Sequence, residues 1–146
     1  MTPREIALRL FNEQNRNCAQ SVLAAHGPDL GLDETSCLRV SACFGAGLGR
    51  LGLTCGAVTG ACMVLGLRHA AEMNEGMPGR DRVYGRVQEF TRRFRELHGA
   101  TDCITLTKCD MTTPEGRQPF AERGLLKNLC STLVACAVDL LAEIPA

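Results

Sequence analysis

Residues 79–98 read GRDRVYGRVQEFTRRFRELH, and this stretch decides the fold class. Val83, Val87, Phe90, Phe94 and Leu97 recur at spacings of 4, 3, 4 and 3, the apolar stripe of an amphipathic α-helix. Gly99 follows in the position where a helix stops on a left-handed backbone. The arginines from Arg80 to Arg95 are interleaved with Asp81, Glu89 and Glu96. They read as a solvated helix face, with a patch for an anionic partner as the alternative.

Helical signals continue on both sides. Thr2-Pro3-Arg4-Glu5 is a capping box with proline in the first helical position, and Ile6, Leu8, Leu10 and Phe11 follow. Asn17 caps a second helix from Cys18 to His26, stopped by Gly27-Pro28. Asp33 caps a third, carrying Cys37, Val40 and Phe44 at spacings of three and four. A glycine-rich loop from Gly45 to Gly56 comes next. Thr54 is then expected to cap a helix over roughly Gly56 to Met73, with Val58, Cys62, Leu65 and His69 on one face. Beyond Gly99, Thr101 or Asp102 starts a short helix holding Cys103. Asp110 to Gln118 reads as a polar loop, and Pro119 as the opening of a last helix with the stripe Leu126, Leu129, Leu133, Ala137 and Leu140. No strand alternation and no Asn-Gly or Asp-Gly hairpin is present. No linker divides residues 1–146. The expectation is all-α: a single compact multi-helix bundle with an internal glycine-rich loop.

Composition narrows the function. The 146 residues are 45% apolar and 22% charged, which excludes a disordered tail. Lys plus Arg and Asp plus Glu are 16 each, so the basic excess that nucleic acid requires is missing. Five Phe, one Tyr and no Trp leave few platforms for stacking bases. The longest strongly apolar stretch, near Ala57 to Leu67, is too short and glycine-rich to insert into a membrane. The start, MTPREIALRLFNEQ, is charged throughout and lacks the apolar core of a secretory signal. A cytoplasmic location is expected, where thiols stay reduced unless they bind metal or do redox chemistry.

The nine cysteines are the informative residues. No C-x-x-C occurs, which removes thioredoxin-type dithiols, most zinc ribbons, ferredoxin-type cluster runs and covalent haem. The shortest spacings are six and seven. On a helix these rise about 9 and 10.5 Å, whereas bridged cysteines need Cα atoms within about 7 Å. Any site must therefore combine cysteines from different helices. Cys18, Cys55 and Cys103 each fall at or near a helix N-terminus, where free N–H groups and the helix dipole stabilise a thiolate. Gly56 and Gly60 let another backbone approach Cys55 closely. The competing reading is that cysteines are small core hydrophobes; it is preferred for Cys37, Cys43, Cys62, Cys109 and Cys136, and for Cys130 on the residues alone.

Thr54-Cys55-Gly56-Ala57-Val58-Thr59-Gly60 resembles the CGAxxG signature of the C_GCAxxG_C_C family of redox-active proteins of about this length. FNEQNRNCAQSV (Phe11 to Val22) resembles the segment with the family's first cysteine, which falls on Cys18. Cys55 matches the second. FRELHGATDC (Phe94 to Cys103) leads to the third, and Leu129-Cys130 resembles the fourth. The resemblance implies a redox role through Cys18, Cys55, Cys103 and Cys130 as ligands of an iron–sulfur or related metal centre. It makes Cys130 a ligand, with Cys109 or Cys37 as alternative ligands. Cys55 is the expected reactive thiol, and Gly56 and Gly60 are expected at the cofactor. A redox partner protein is implied, with a homodimer possible. Two other readings stay open. One is a metal-free thiol–disulfide oxidoreductase with Cys55 as nucleophile. The other is a non-catalytic helical module with core cysteines or structural zinc.

Remaining motifs carry less. Gly47-Leu48-Gly49-Arg50-Leu51-Gly52 matches GxGxxG, but a dinucleotide site needs a βαβ unit around it. His26 and His98 precede glycines at helix ends, where a C-terminal dipole favours histidine. His69 reads as packing. No HExxH, P-loop or G-x-S-x-G supports a hydrolase.

Overall fold

The structure, a computed structural model, describes residues 1–145. It is all-α, with α1 (Pro3–Asn12), α2 (Cys18–His26), α3 (Glu34–Val40), α4 (Gly56–His69), α5 (Gly76–His98), α6 (Cys103–Thr107), α7 (Pro114–Glu122) and α8 (Ser131–Glu143). Among the described residues there is no strand, only an isolated bridge between Thr54 and Asp102.

Local chemistry places the helix starts. Thr2 and Glu5 exchange both bonds of a capping box on α1, and Asn17 and Gln20 do the same on α2. The Asn17 amide also donates to the Ala42 carbonyl at 3.0 Å, stitching α2 to the turn that leads into the glycine loop. Asp33 and Asp102 cap α3 and α6. Gly99, at φ +84°, closes α5 through its N–H to the Arg95 carbonyl. With that closure made, His98 turns its ring onto Phe94, with centroids 4.6 Å apart. His26 instead bonds the Val22 carbonyl one turn back in its own helix, at 2.8 Å.

The core forms where α2 packs on α1 and α4, and α8 closes over α1, α4 and α5. Phe90, Phe94, Leu23, Leu65, Leu133 and Leu141 are its largest fully buried side chains. Gly60 sets the α2–α4 distance: a Cβ there would lie 2.9 Å from the Ala19 carbonyl oxygen. A second, small cluster of Cys109, Met111 and Leu125 sits apart, beneath α7.

Several expectations are corrected. Thr54 does not cap α4; its backbone pairs with Asp102, and Cys55 itself is the N-cap residue. The helix from Gly56 ends at His69 and passes into a 3₁₀ turn over Ala70–Glu75. Pro119 lies inside α7, which starts five residues earlier because Thr113 caps it, accepting from the Gly116 N–H at 3.0 Å. The loop from Asp110 is correspondingly short. The last helix is broken at Gly124 (φ +61°) and resumes through a π-helical turn, Leu126–Cys130. That wider turn shifts the helical phase and leaves Leu126 exposed rather than on the core stripe. Leu97 and Val40 are also exposed.

Candidate functional site

Three of the four singled-out cysteines stand at helix starts. Cys18 is the first residue of α2, Cys55 the N-cap of α4 and Cys103 the first residue of α6. Cys130 closes the π turn before α8. A short backbone ladder ties two of them together. The Cys55 N–H donates to the Thr101 carbonyl at 2.8 Å, the Cys103 N–H to the Leu53 carbonyl at 2.6 Å, and the Ile104 N–H to the Gly52 carbonyl at 3.1 Å.

All four line one cavity of about 480 Å³. Its glycine-loop wall is unusual: Ala46, Gly47, Leu48, Gly49 and Arg50 are left-handed in succession, with φ between 52° and 70°. Such a run is disfavoured for L-residues. Gly47 sits so close beneath the ladder that a Cβ would fall 2.6 Å from the Leu53 nitrogen and 2.7 Å from the Cys103 Cβ. Gly56 also lines the cavity, and a Cβ there would meet the Ala19 nitrogen and Cys18 Cβ, both at 3.0 Å. Gly60 does not line it; its place is the α2–α4 contact.

The thiols interact. Interaction with the Cys18 thiol holds the Cys55 thiol below its ordinary value against the cost of burial. The Ala57 and Val58 N–H groups add to this, although no full capping hydrogen bond is made. The same contact, after the contact with Cys130, pushes the Cys18 thiol well up. Burial, with negative charge at Cys55 and Cys130 behind it, pushes the Cys103 thiol up to about 12. Cys55 therefore ionises before Cys18 and Cys103.

The other cysteines divide. Cys37 and Cys109 are buried, Cys62 and Cys136 half-buried, and burial raises the thiols of Cys37, Cys62 and Cys136. Cys43, expected in the core, is exposed and lines the cavity. Its helix α3 ends at Val40, and the 3₁₀ turn Ala42–Phe44 turns the side chain outward. Its spacing of six from Cys37 and twelve from Cys55 carried no signal; its neighbourhood to the glycine loop was the only available clue.

The wall bears cysteines but no histidine and no carboxylate. That donor set fits a soft, thiolate-binding metal group. Among the described residues no three His, Cys, Asp or Glu side chains gather closely enough to hold one metal ion. The thiols form a string of contacts rather than a shell around one point. A single tetrahedral zinc would need four sulfurs about 2.3 Å from one centre. The volume instead suits a group of several atoms.

Fold and site together define a cysteine-rich all-α protein with thiols from separate helices meeting at a cavity. The chain matches the family described as "Putative redox-active protein (C_GCAxxG_C_C)" over residues 16–144, and it belongs to that family. Neither curated proteins nor solved structures give a match to it.

Proposed function

We propose that this chain is a redox protein that holds an iron–sulfur or related metal centre through Cys18, Cys55, Cys103 and Cys130. One observation carries the reading: four cysteines distant in sequence line one cavity whose wall offers sulfur and no competing histidine or carboxylate. Such a centre, when bound, supplies one-electron transfer. Cys55 gives up its proton more readily than Cys18 and Cys103, because Cys18 and the N-terminus of α4 stabilise its charge. Cys18 and Cys103 must lose protons on binding, so loading releases protons and strengthens as pH rises. Gly47 and Gly56 keep Cβ atoms away from the thiols. A reducing compartment such as the cytoplasm and a protein redox partner complete the reading.

Anaerobic purification followed by iron, labile-sulfide and visible-absorption measurement tests it. A coloured protein with iron and sulfide is expected, and Cys55→Ser is expected to abolish loading while Cys62→Ala costs only packing stability. A colourless zinc protein, or one without metal, overturns the reading.

The Cys18–Cys55 contact favours a second reading, thiol–disulfide exchange. The Cys55 thiolate attacks a disulfide substrate, and Cys18 displaces the mixed disulfide. The substrate leaves as two thiols and a Cys18–Cys55 disulfide remains. A metal-free protein that consumes two thiols per substrate disulfide would establish it.

A further inference from the structure

We infer that the same cavity is a binding site for a small organic anion, whose charged group is met at the mouth by Arg16 and Arg50. The inference rests on the cavity being the working site, and not on which group the four thiols hold. The chain as a whole carries equal numbers of acidic and basic residues. The cavity does not: apart from the thiols, its only ionisable lining residues are Arg16 and Arg50, with no aspartate, glutamate or lysine among them.

Both arginines are exposed, and among the described residues neither guanidinium takes part in an ion pair. The contrast is with α5, where Arg82, Arg86, Arg92 and Arg93 are each matched to a glutamate. Among the described residues Arg80 and Arg95 of α5 are unpaired as well, but they do not line this cavity; Arg16 and Arg50 do. The same lining includes apolar side chains, Phe11, Leu106, Phe120 and Leu133. A charged head and an apolar body are therefore both provided for. The volume of about 480 Å³ lies within the range of about 300–1,000 Å³ usual for small-molecule sites.

Backbone strain points to the same place. The non-glycine residues with positive φ are Asn15, Ala46, Leu48, Arg50 and Lys108. Asn15, Ala46 and Arg50 line the cavity; Leu48 lies between lining glycines, and Lys108 follows the lining Thr107. Left-handed backbone is strained at such residues and gathers at ligand sites. Asn15 and Arg50 belong to the two segments that bring the charges to the mouth.

Cys43 reports on this site, being exposed, on the cavity wall and outside the four-thiol set. The experiment measures its alkylation in the protein as purified, by peptide mass spectrometry, with iodoacetate and with iodoacetamide. The two reagents share their chemistry and differ in charge. The iodoacetate-to-iodoacetamide rate ratio is expected to be roughly tenfold higher in the folded chain than in the urea-unfolded chain, from local enrichment of anions. The Arg16→Gln/Arg50→Gln variant should bring the ratio back to the unfolded value, since any change in thiolate fraction is common to both reagents and cancels in the ratio. Succinate should slow labelling by both reagents in the parent protein, against sodium chloride of equal ionic strength. A folded ratio equal to the unfolded one, a ratio insensitive to both substitutions, or no protection by succinate overturns the inference. Because the readout is Cys43 labelling, its failure is distinct from a failure to find iron.

Discussion

A methyl group is enough to separate the roles of the glycines. At Gly60 a Cβ would press on the Ala19 carbonyl oxygen at 2.9 Å and the Val22 Cβ at 3.1 Å, so α2 and α4 would have to part. Gly66 and Gly85, on α4 and α5, have nothing within 4 Å of the same position. Gly60→Ala is expected to destabilise by about 1–3 kcal/mol, the usual cost of overpacking. Gly66→Ala and Gly85→Ala are expected to stabilise by about 0.5–1 kcal/mol each, because alanine restricts the unfolded chain and suits a helix. Urea unfolding at unchanged m-value reads both signs. A stabilised Gly60→Ala would contradict the close crossing. From sequence alone Gly60 looked like a cofactor residue because it shares a motif with Gly56. Only the packing of α2 assigns it to the helix interface.

Between elements, Glu72 links the 3₁₀ turn after α4 to α5, pairing with Arg82 at 2.9 Å and with Arg86. The Arg86 and Arg82 hydrogen bonds lower its carboxyl from 4.5 to about 2. A carboxyl depressed on folding stabilises the folded state above its ordinary value and ceases to do so as pH falls through the folded one. The parent protein is therefore expected to melt higher than Glu72→Gln at pH 7. The gap should narrow below pH 4.5 and close near pH 2. High salt should shrink the gap at neutral pH in part, since Arg82 is exposed while Glu72 and Arg86 are half-buried. Thermal melts across pH check both trends, and a gap that does not change with pH would remove Glu72 from this role. His69, whose Nδ1 lies 3.5 Å from Glu72, joins the same cluster, with burial and Arg86 lowering its ring. Elements of this kind were legible where the sequence carries local chemistry. The capping boxes at Thr2 and Asn17 and the stripe through Phe90 and Phe94 are set by neighbours three and four residues away. The π turn before Cys130 was not legible, because its extra residue is fixed by tertiary closure of α8 and leaves no periodic mark.

Across the whole molecule Cys18, Cys55 and Cys103 were legible from their places at helix starts, and Cys130 only from the family resemblance. Their meeting depends on long-range closure: Cys55 and Cys103 are joined by the Thr54–Asp102 bridge, which no local propensity encodes. The exposed Cys43 was missed for the same reason, since the turn that carries it is placed by Asn17 from another helix.

The two sides of the cavity also rest on unequal foundations, and this gives the protein a direction in time. The Cys55–Cys103 ladder adjoins the main core, into which Cys55 itself packs, whereas the segment under α7 is built on the small cluster of Cys109, Met111 and Leu125, with Phe120 and Leu129 linking it to the main core. Local opening follows the density of buried contacts. In deuterated solvent the amides of Cys55 and Cys103 should exchange among the slowest in the chain, and those of Pro114–Glu122 orders of magnitude sooner. The slow side keeps its thiols in register while the fast side breathes, so the cavity is predicted to widen on the α7 side. Equal protection on both sides would mean instead that the two walls open together.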